Sequence, residues 1–136
     1  MTRLRGTFAM TLVVDAVAEP AELEESLSSV AGGLGVRVSV VPVVEEFAAT
    51  NGVPHVLTLH GADRPGIVSE ITSLLAQVGG NITEMTTRLS GELYALVCEV
   101  DLPPQRDSAA VAAEVERIGE RLGVHASLRL AEADLL

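Results

Sequence analysis

Apolar positions recur along the chain with two distinct periods. Leu23, Leu27, Val30 and Leu34 follow an i, i+4, i+7, i+11 spacing, and so do Val111, Val115, Ile118 and Leu122. That spacing lines one face of an α-helix. A third helical stripe carries Ile67, Val68, Ile71, Leu74, Leu75 and Val78. Between these stripes the pattern shortens to strand-like runs at Phe8–Val14, 55–62, Asn81–Leu89 and Leu93–Val100. Alternation at Val36, Val38 and Val40, and again at Val124, Ala126, Leu128 and Leu130, predicts strands with one covered face.

The punctuation agrees with the periods. Pro20 suits the first turn of the first helix, and Ser108 is a good N-cap for the last. Gly35 and Gly123 sit where a left-handed C-terminal cap needs glycine. Asp63-Arg64-Pro65-Gly66 reads as a tight turn opening the middle helix, and Gly79-Gly80 closes it.

The pattern repeats. Thr2-Arg3-Leu4-Arg5-Gly6 matches Thr87-Arg88-Leu89-Ser90-Gly91, and Leu34-Gly35-Val36 matches Leu122-Gly123-Val124. The later copy, residues 55–131, reads β-α-β-β-α-β, the ferredoxin-like order of an α+β fold. The earlier copy, residues 1–43, begins at the second strand of that order. Residues 44–54, with Thr50, Asn51, Gly52 and Pro54, read as a linker. On repeat logic the first copy is short of a strand and a helix, about 30 residues. The expectation is that Met1 is internal to a longer natural chain, or that two chains complete each other.

Charge narrows the functions open to such a fold. The chain of 136 residues carries 19 acidic and 9 basic residues, a net of −10, and every basic residue is arginine. An acidic surface repels phosphate backbones and anionic bilayers, which argues against nucleic acid and membrane as direct partners. Only three aromatic side chains of Phe or Tyr are present, which excludes base-stacking platforms. The single cysteine, Cys98, permits no intramolecular disulfide and fits a reducing cytoplasm. It lies in an apolar run and reads as a buried thiol. His55, His60 and His125 have no metal-ligand spacing, and no catalytic triad, paired carboxylate or phosphate-cradling motif stands out. No enzyme activity, metal or cofactor is expected. Glu22, Glu24 and Glu25 read as a solvated helix face.

The run Leu57-Thr58-Leu59-His60-Gly61-Ala62-Asp63-Arg64-Pro65-Gly66-Ile67-Val68 resembles the opening of an ACT domain. Gly79-Gly80-Asn81-Ile82, at the spacing found here, resembles the segment that follows its first helix. The two-copy layout resembles the tandem-ACT group of the glycine cleavage system transcriptional repressor. Members of that group have Asp-Arg-Pro-Gly in both copies, and here the first copy lacks it. The resemblance implies a ferredoxin-like regulatory module that binds a small amino acid, glycine or serine, at an interface between ACT domains. It also implies a homo-oligomer, a dimer in the simplest case, or pairing with another ACT-containing protein. With no helix-turn-helix signal, any effect on transcription would pass through a protein partner.

Candidate ligand residues are Asp63, Arg64, Pro65, Gly66, Ile67, Asn81 and Ile82. A helix start offers free backbone N–H groups and a partial positive charge to a carboxylate. Gly66 permits close approach, and Asp63 is placed to meet an amino group. The same residues also read as plain structure: Asp63 as a helix cap, Pro65-Gly66 as a helix start, Asn81 as a turn residue, Ile67 and Ile82 as core. A ligand-free pairing module, or a regulatory piece of an amino-acid or folate enzyme such as formyltetrahydrofolate deformylase, remain the alternatives.

Overall fold

The structure is a computed structural model, and it describes residues 2–43 and 51–132. Two compact units divide the chain, residues 1–47 and 48–136.

The first unit holds β1 (Thr2–Leu4), β2 (Thr7–Ala9) and α1 (Pro20–Leu34). β1 and β2 form an antiparallel hairpin, Arg3 opposite Phe8. Its two-residue turn, Arg5-Gly6, has positive φ at both positions, the geometry that matches strand twist. The strand expected over Phe8–Val14 stops at Ala9, and none forms at Val36, Val38 and Val40. In the ferredoxin-like order that last strand pairs with the opening strand, which is not found among the described residues of this unit. The N–H of Val40 goes instead to a carboxylate oxygen of Glu24, 2.7 Å away. Glu24 is therefore half-buried and engaged, not part of a solvated face. The helical stripe stands open, with Val30 64% and Leu34 73% exposed.

The second unit runs β3 (Val53–Ala62), α2 (Ile67–Gln77), β4 (Asn81–Ser90), β5 (Leu93–Leu102), α3 (Ser108–Leu122) and β6 (Val124–Leu130). This is the expected βαββαβ fold of the α+β class. Residues 44–50 of the expected linker lie outside the described residues, and Val53 and Pro54 belong to β3. The four strands form one antiparallel sheet in the order β4-β5-β3-β6. β3 pairs with β5 along ten residues, Leu57 opposite Cys98, and with β6 along seven, Leu57 opposite Leu128.

Alternation then sorts the side chains. Leu57 and Leu59 of β3, with Leu96, Cys98, Val100 and Leu102 of β5, point to the core face. Val124, Ala126 and Leu128 of β6 join them. Ile67, Ile71, Leu74 and Leu75 of α2, with Val111, Val115 and Ile118 of α3, close over that face. Each such aliphatic side chain contributes about 1.5–3 kcal/mol on full burial. Val68 falls outside the stripe at 39% exposure, and Leu130 at the end of β6 is exposed.

The start of α3 departs from expectation by one residue. Asp107 is the N-cap, its Oδ1 accepting from the N–H of Ala109 at 3.0 Å and of Ala110 at 3.4 Å. Aspartate is among the preferred N-cap residues, and here it takes that role. Ser108 is thus free to serve the buried His55. The His55 Nδ1 donates to the carbonyl of Val53 at 2.8 Å, and its Nε2 sits 3.0 Å from Ser108 Oγ. Because a carbonyl only accepts, the neutral ring carries its proton on Nδ1 and Nε2 accepts from the serine. The bond ties the start of β3 to the start of α3.

Gly119 marks the tightest contact between α3 and β6. A Cβ there would stand 2.9 Å from both the Val124 carbonyl oxygen and Ala126 Cβ. Alanine normally favours a helix interior over glycine by about 1 kcal/mol. Here the overlap with backbone should reverse the sign, giving a net loss of about 1–3 kcal/mol for Gly119→Ala. Urea unfolding followed by far-UV circular dichroism checks this; an unchanged or raised midpoint would show that α3 can lift off β6.

Candidate functional site

β3 ends at Ala62, and the chain turns through Asp63, Arg64, Pro65 and Gly66 into α2. Gly66 is the residue before the helix, in the left-handed region at φ 93°. Its carbonyl accepts from the N–H of Glu70 at 2.9 Å. A side chain at this φ would be strained, so the motif's glycine is a backbone requirement. No side chain caps α2. Asp63 is thus not the helix cap that sequence reasoning allowed. Its own N–H donates to the carbonyl of Glu92 at 3.0 Å, pinning the end of β3 to the β4–β5 turn. The first-turn N–H groups of α2 stay uncapped by side chains, and Asp63 is exposed beside them.

Arg64 turns towards the end of α3. Its guanidinium carbon and two of its nitrogens lie 3.6–3.7 Å from where a Cβ on Gly123 would stand. Gly123 is the left-handed C-cap of α3, so the cation rests against the negative end of a helix dipole. Ile67 is 2% exposed and packs in the core.

Two residues that the motif did not flag complete this end of the sheet. Tyr94, half-buried on β5, has its phenol pushed above the ordinary value of 10.0. Burial is the main cause and the Asp63 charge the second, while a hydrogen bond from Thr87 works the other way. Asp63, Tyr94 and Thr87 thus form one polar group at the mouth of the β3–α2 turn. The two residues arrive here through strand register, in which Leu89 pairs with Tyr94 and Tyr94 with Gly61.

Asn81 and Ile82 lie at the other end of α2. Gly80 donates its N–H to the Leu75 carbonyl at 2.7 Å, ending the helix, and Asn81 starts β4 opposite Asp101. Asn81 and Asp101 share a cleft of ≈ 290 Å³ with Asn51, Gly52, Gly79 and the Pro103–Gln105 loop. Ile82 is 37% exposed, on the edge strand. An eleven-residue helix separates the two groups, a length of about 16 Å. One copy of the unit therefore does not bring Asp63–Gly66 together with Asn81.

Cys98 is fully buried, and burial followed by the Glu99 charge raises its thiol, which suits an inert core residue. Among the described residues, no helix is long and apolar enough to cross a membrane.

Tyr94 is the single tyrosine and no tryptophan is present, so its ionisation is read without interference. The phenolate absorbance midpoint should lie above 10, and Asp63→Asn should lower it partway, since burial remains. The folded chain holds this proton more tightly than the unfolded chain. The associated stability is therefore complete below pH about 10 and lost as pH rises through the raised midpoint. An unshifted midpoint in Asp63→Asn would separate Tyr94 from Asp63.

Comparison with known proteins agrees with this geometry. The ACT domain family profile matches residues 54–129. A UPF0237 protein of Methanopyrus kandleri is 41% identical over 70 residues, covering 51% of this chain and 78% of its own. One from Methanococcus maripaludis is 33% identical over the same shares. Among solved structures, an ACT domain protein from Streptococcus pneumoniae superposes with a TM-score of 0.55 at 25% identity, covering 62% of this chain and 99% of that one. A protein described as a glycine cleavage system transcriptional repressor has a TM-score of 0.55 at 22% identity, covering 64% of this chain and 50% of that one. A formyltetrahydrofolate deformylase from Pseudomonas putida has a TM-score of 0.53 at 20% identity, covering 57% of this chain and 29% of that one. These last two likenesses show the fold alone. With its family match spanning more than half its length and its close likeness to UPF0237 proteins, the chain belongs to the ACT domain family.

Proposed function

We propose that this chain is a non-catalytic regulatory protein that binds a small amino acid, glycine or serine, between ACT domains. The observation that carries the reading is the uncapped start of α2 with Asp63 exposed beside it. That arrangement offers N–H groups to a carboxylate and a carboxylate to an amino group, the two ends of a zwitterion. Asn81, about a helix length away, contributes from a second domain laid antiparallel to the first. The second domain is another copy of this chain, another ACT-containing protein, or a tandem partner of which residues 1–43 are a part. Occupancy must favour one domain arrangement over another to act as a signal. The signal then passes to a protein partner in the cytoplasm, in keeping with the acidic surface and with the repressor named among the structural neighbours. A role beside a folate enzyme is the nearest alternative, supported by the deformylase likeness.

Isothermal titration of the full chain against the amino acids should give heat with glycine or serine. Asp63→Asn and Asn81→Ala should each weaken it about tenfold or more, the effect of losing a charged or buried hydrogen-bond partner. Absence of binding to every amino acid would overturn the reading and leave a ligand-free pairing module.

A further inference from the structure

The face of the second sheet that the helices leave open has an ordered charge pattern. Cross-strand register places its side chains in rows. The middle row is Thr86, Val97, Thr58 and Ser127, small and uncharged, with Thr58 and Ser127 hydroxyls 2.9 Å apart. Towards the β3–α2 turn comes a row of Arg88, Ala95, His60 and His125. The two imidazoles stand 4.9 Å apart between ring centres. On the other side of the middle comes a row of Glu84, Glu99, Val56 and Arg129. Val97 is 47% exposed, and Val56 and Ala95 are half-buried.

We infer that this face docks onto the same face of a second copy. The two-fold axis would run along the Thr86–Val97–Thr58–Ser127 row, across the strands. Such an axis reverses strand direction while keeping each strand above its counterpart. Arg88 of each copy then stands over Glu84 of the other, Glu99 over Ala95 between the partner copy's Arg88 and His60, His60 over Val56, and Arg129 over His125. The uncharged row meets itself.

The charge balance of the chain singles out this occupant. A protein of net −10 meets its own kind at a cost wherever acid faces acid. Here two arginines and two glutamates balance, and the β4 pair is set at opposite ends, so self-contact joins Arg88 to Glu84 twice. Sheet faces pack about 10 Å apart with strands within about 30° of alignment, a gap that arginine and glutamate side chains span. β3, β4 and β5 each set about five residues on this face and β6 three; at about 4.8 Å by 6.8 Å per residue that is roughly 590 Å² in plan per copy. Two copies bury about 1,200 Å², at the lower limit of a specific interface, so the dimer should be concentration-dependent. The inference does not depend on amino-acid binding, and its test adds none.

Sedimentation velocity of the full chain, from micromolar upwards at low salt, should show a monomer–dimer equilibrium. Arg88→Glu and Glu84→Arg, each shown folded by circular dichroism, should each weaken dimerisation about tenfold or more. An equimolar mixture of the two variants should dimerise again, because every crossed pair is then opposite in charge. As a control for bulk charge, a mixture of Arg117→Glu with Glu116→Arg, both on the exposed side of α3, should match the wild type. A wild type that is monomeric throughout, as when another segment of the chain covers the face, would overturn the inference. So would single variants that dimerise normally, or a mixture that fails to recover.

Discussion

The central position of β3 is the constraint on which the rest depends. With β5 it is one of the two interior strands of the sheet, and it alone links the β4–β5 half to β6. Its alternation puts Leu57 and Leu59 into the core with almost no exposure. α2 and α3 have a surface to cover only because β3 joins the two outer halves of the sheet. The first unit shows the same helical grammar without such a strand. α1 and α3 are both fifteen residues long and end in left-handed glycines of nearly equal geometry. Yet Val115 is 0% exposed while Val30, on the equivalent stripe, is open. Identical periodicity has opposite outcomes because burial is decided by what lies opposite.

Much of this was legible in the chain. The 3.6-residue stripes placed all three helices, strand-like runs between them placed three strands of the complete copy, and alternation placed the fourth. The glycine caps at Gly35 and Gly123 were readable because the left-handed cap selects one residue type. The misses share a physical cause. The strand at Val36–Val40 looked sound locally, but ladders need a partner that local pattern does not report. Glu24 looked solvated until a strand without a ladder needed an acceptor for Val40. Ser108 looked like a cap, although Asp107 stood one residue ahead and His55 needed a hydroxyl.

The candidate site was legible as a list of residues and not as a geometry. Asp63–Gly66 and Asn81 were named, but a helix between them converts nearness in sequence into separation in space. Tyr94 and Thr87 belong to the same mouth as Asp63, and nothing in the motif points to them. They arrive through the register of β4 against β5 and β5 against β3, a long-range property.

The strand order also bears on how the chain comes to fold during synthesis. β3 emerges first of its sheet, yet its two neighbours are the third and fourth strands to follow the ribosome's order of manufacture. Thr58 meets Ser127 across 69 residues of intervening chain. Until those segments appear, this interior strand has neither edge satisfied, and closing such long loops is slow compared with forming local helices. A nascent chain of this protein therefore carries its core strand unpaired from the making of Ala62 until β5 is made, and half-paired until β6 follows. That interval, rather than the finished fold, is where a holding chaperone would find the most to bind.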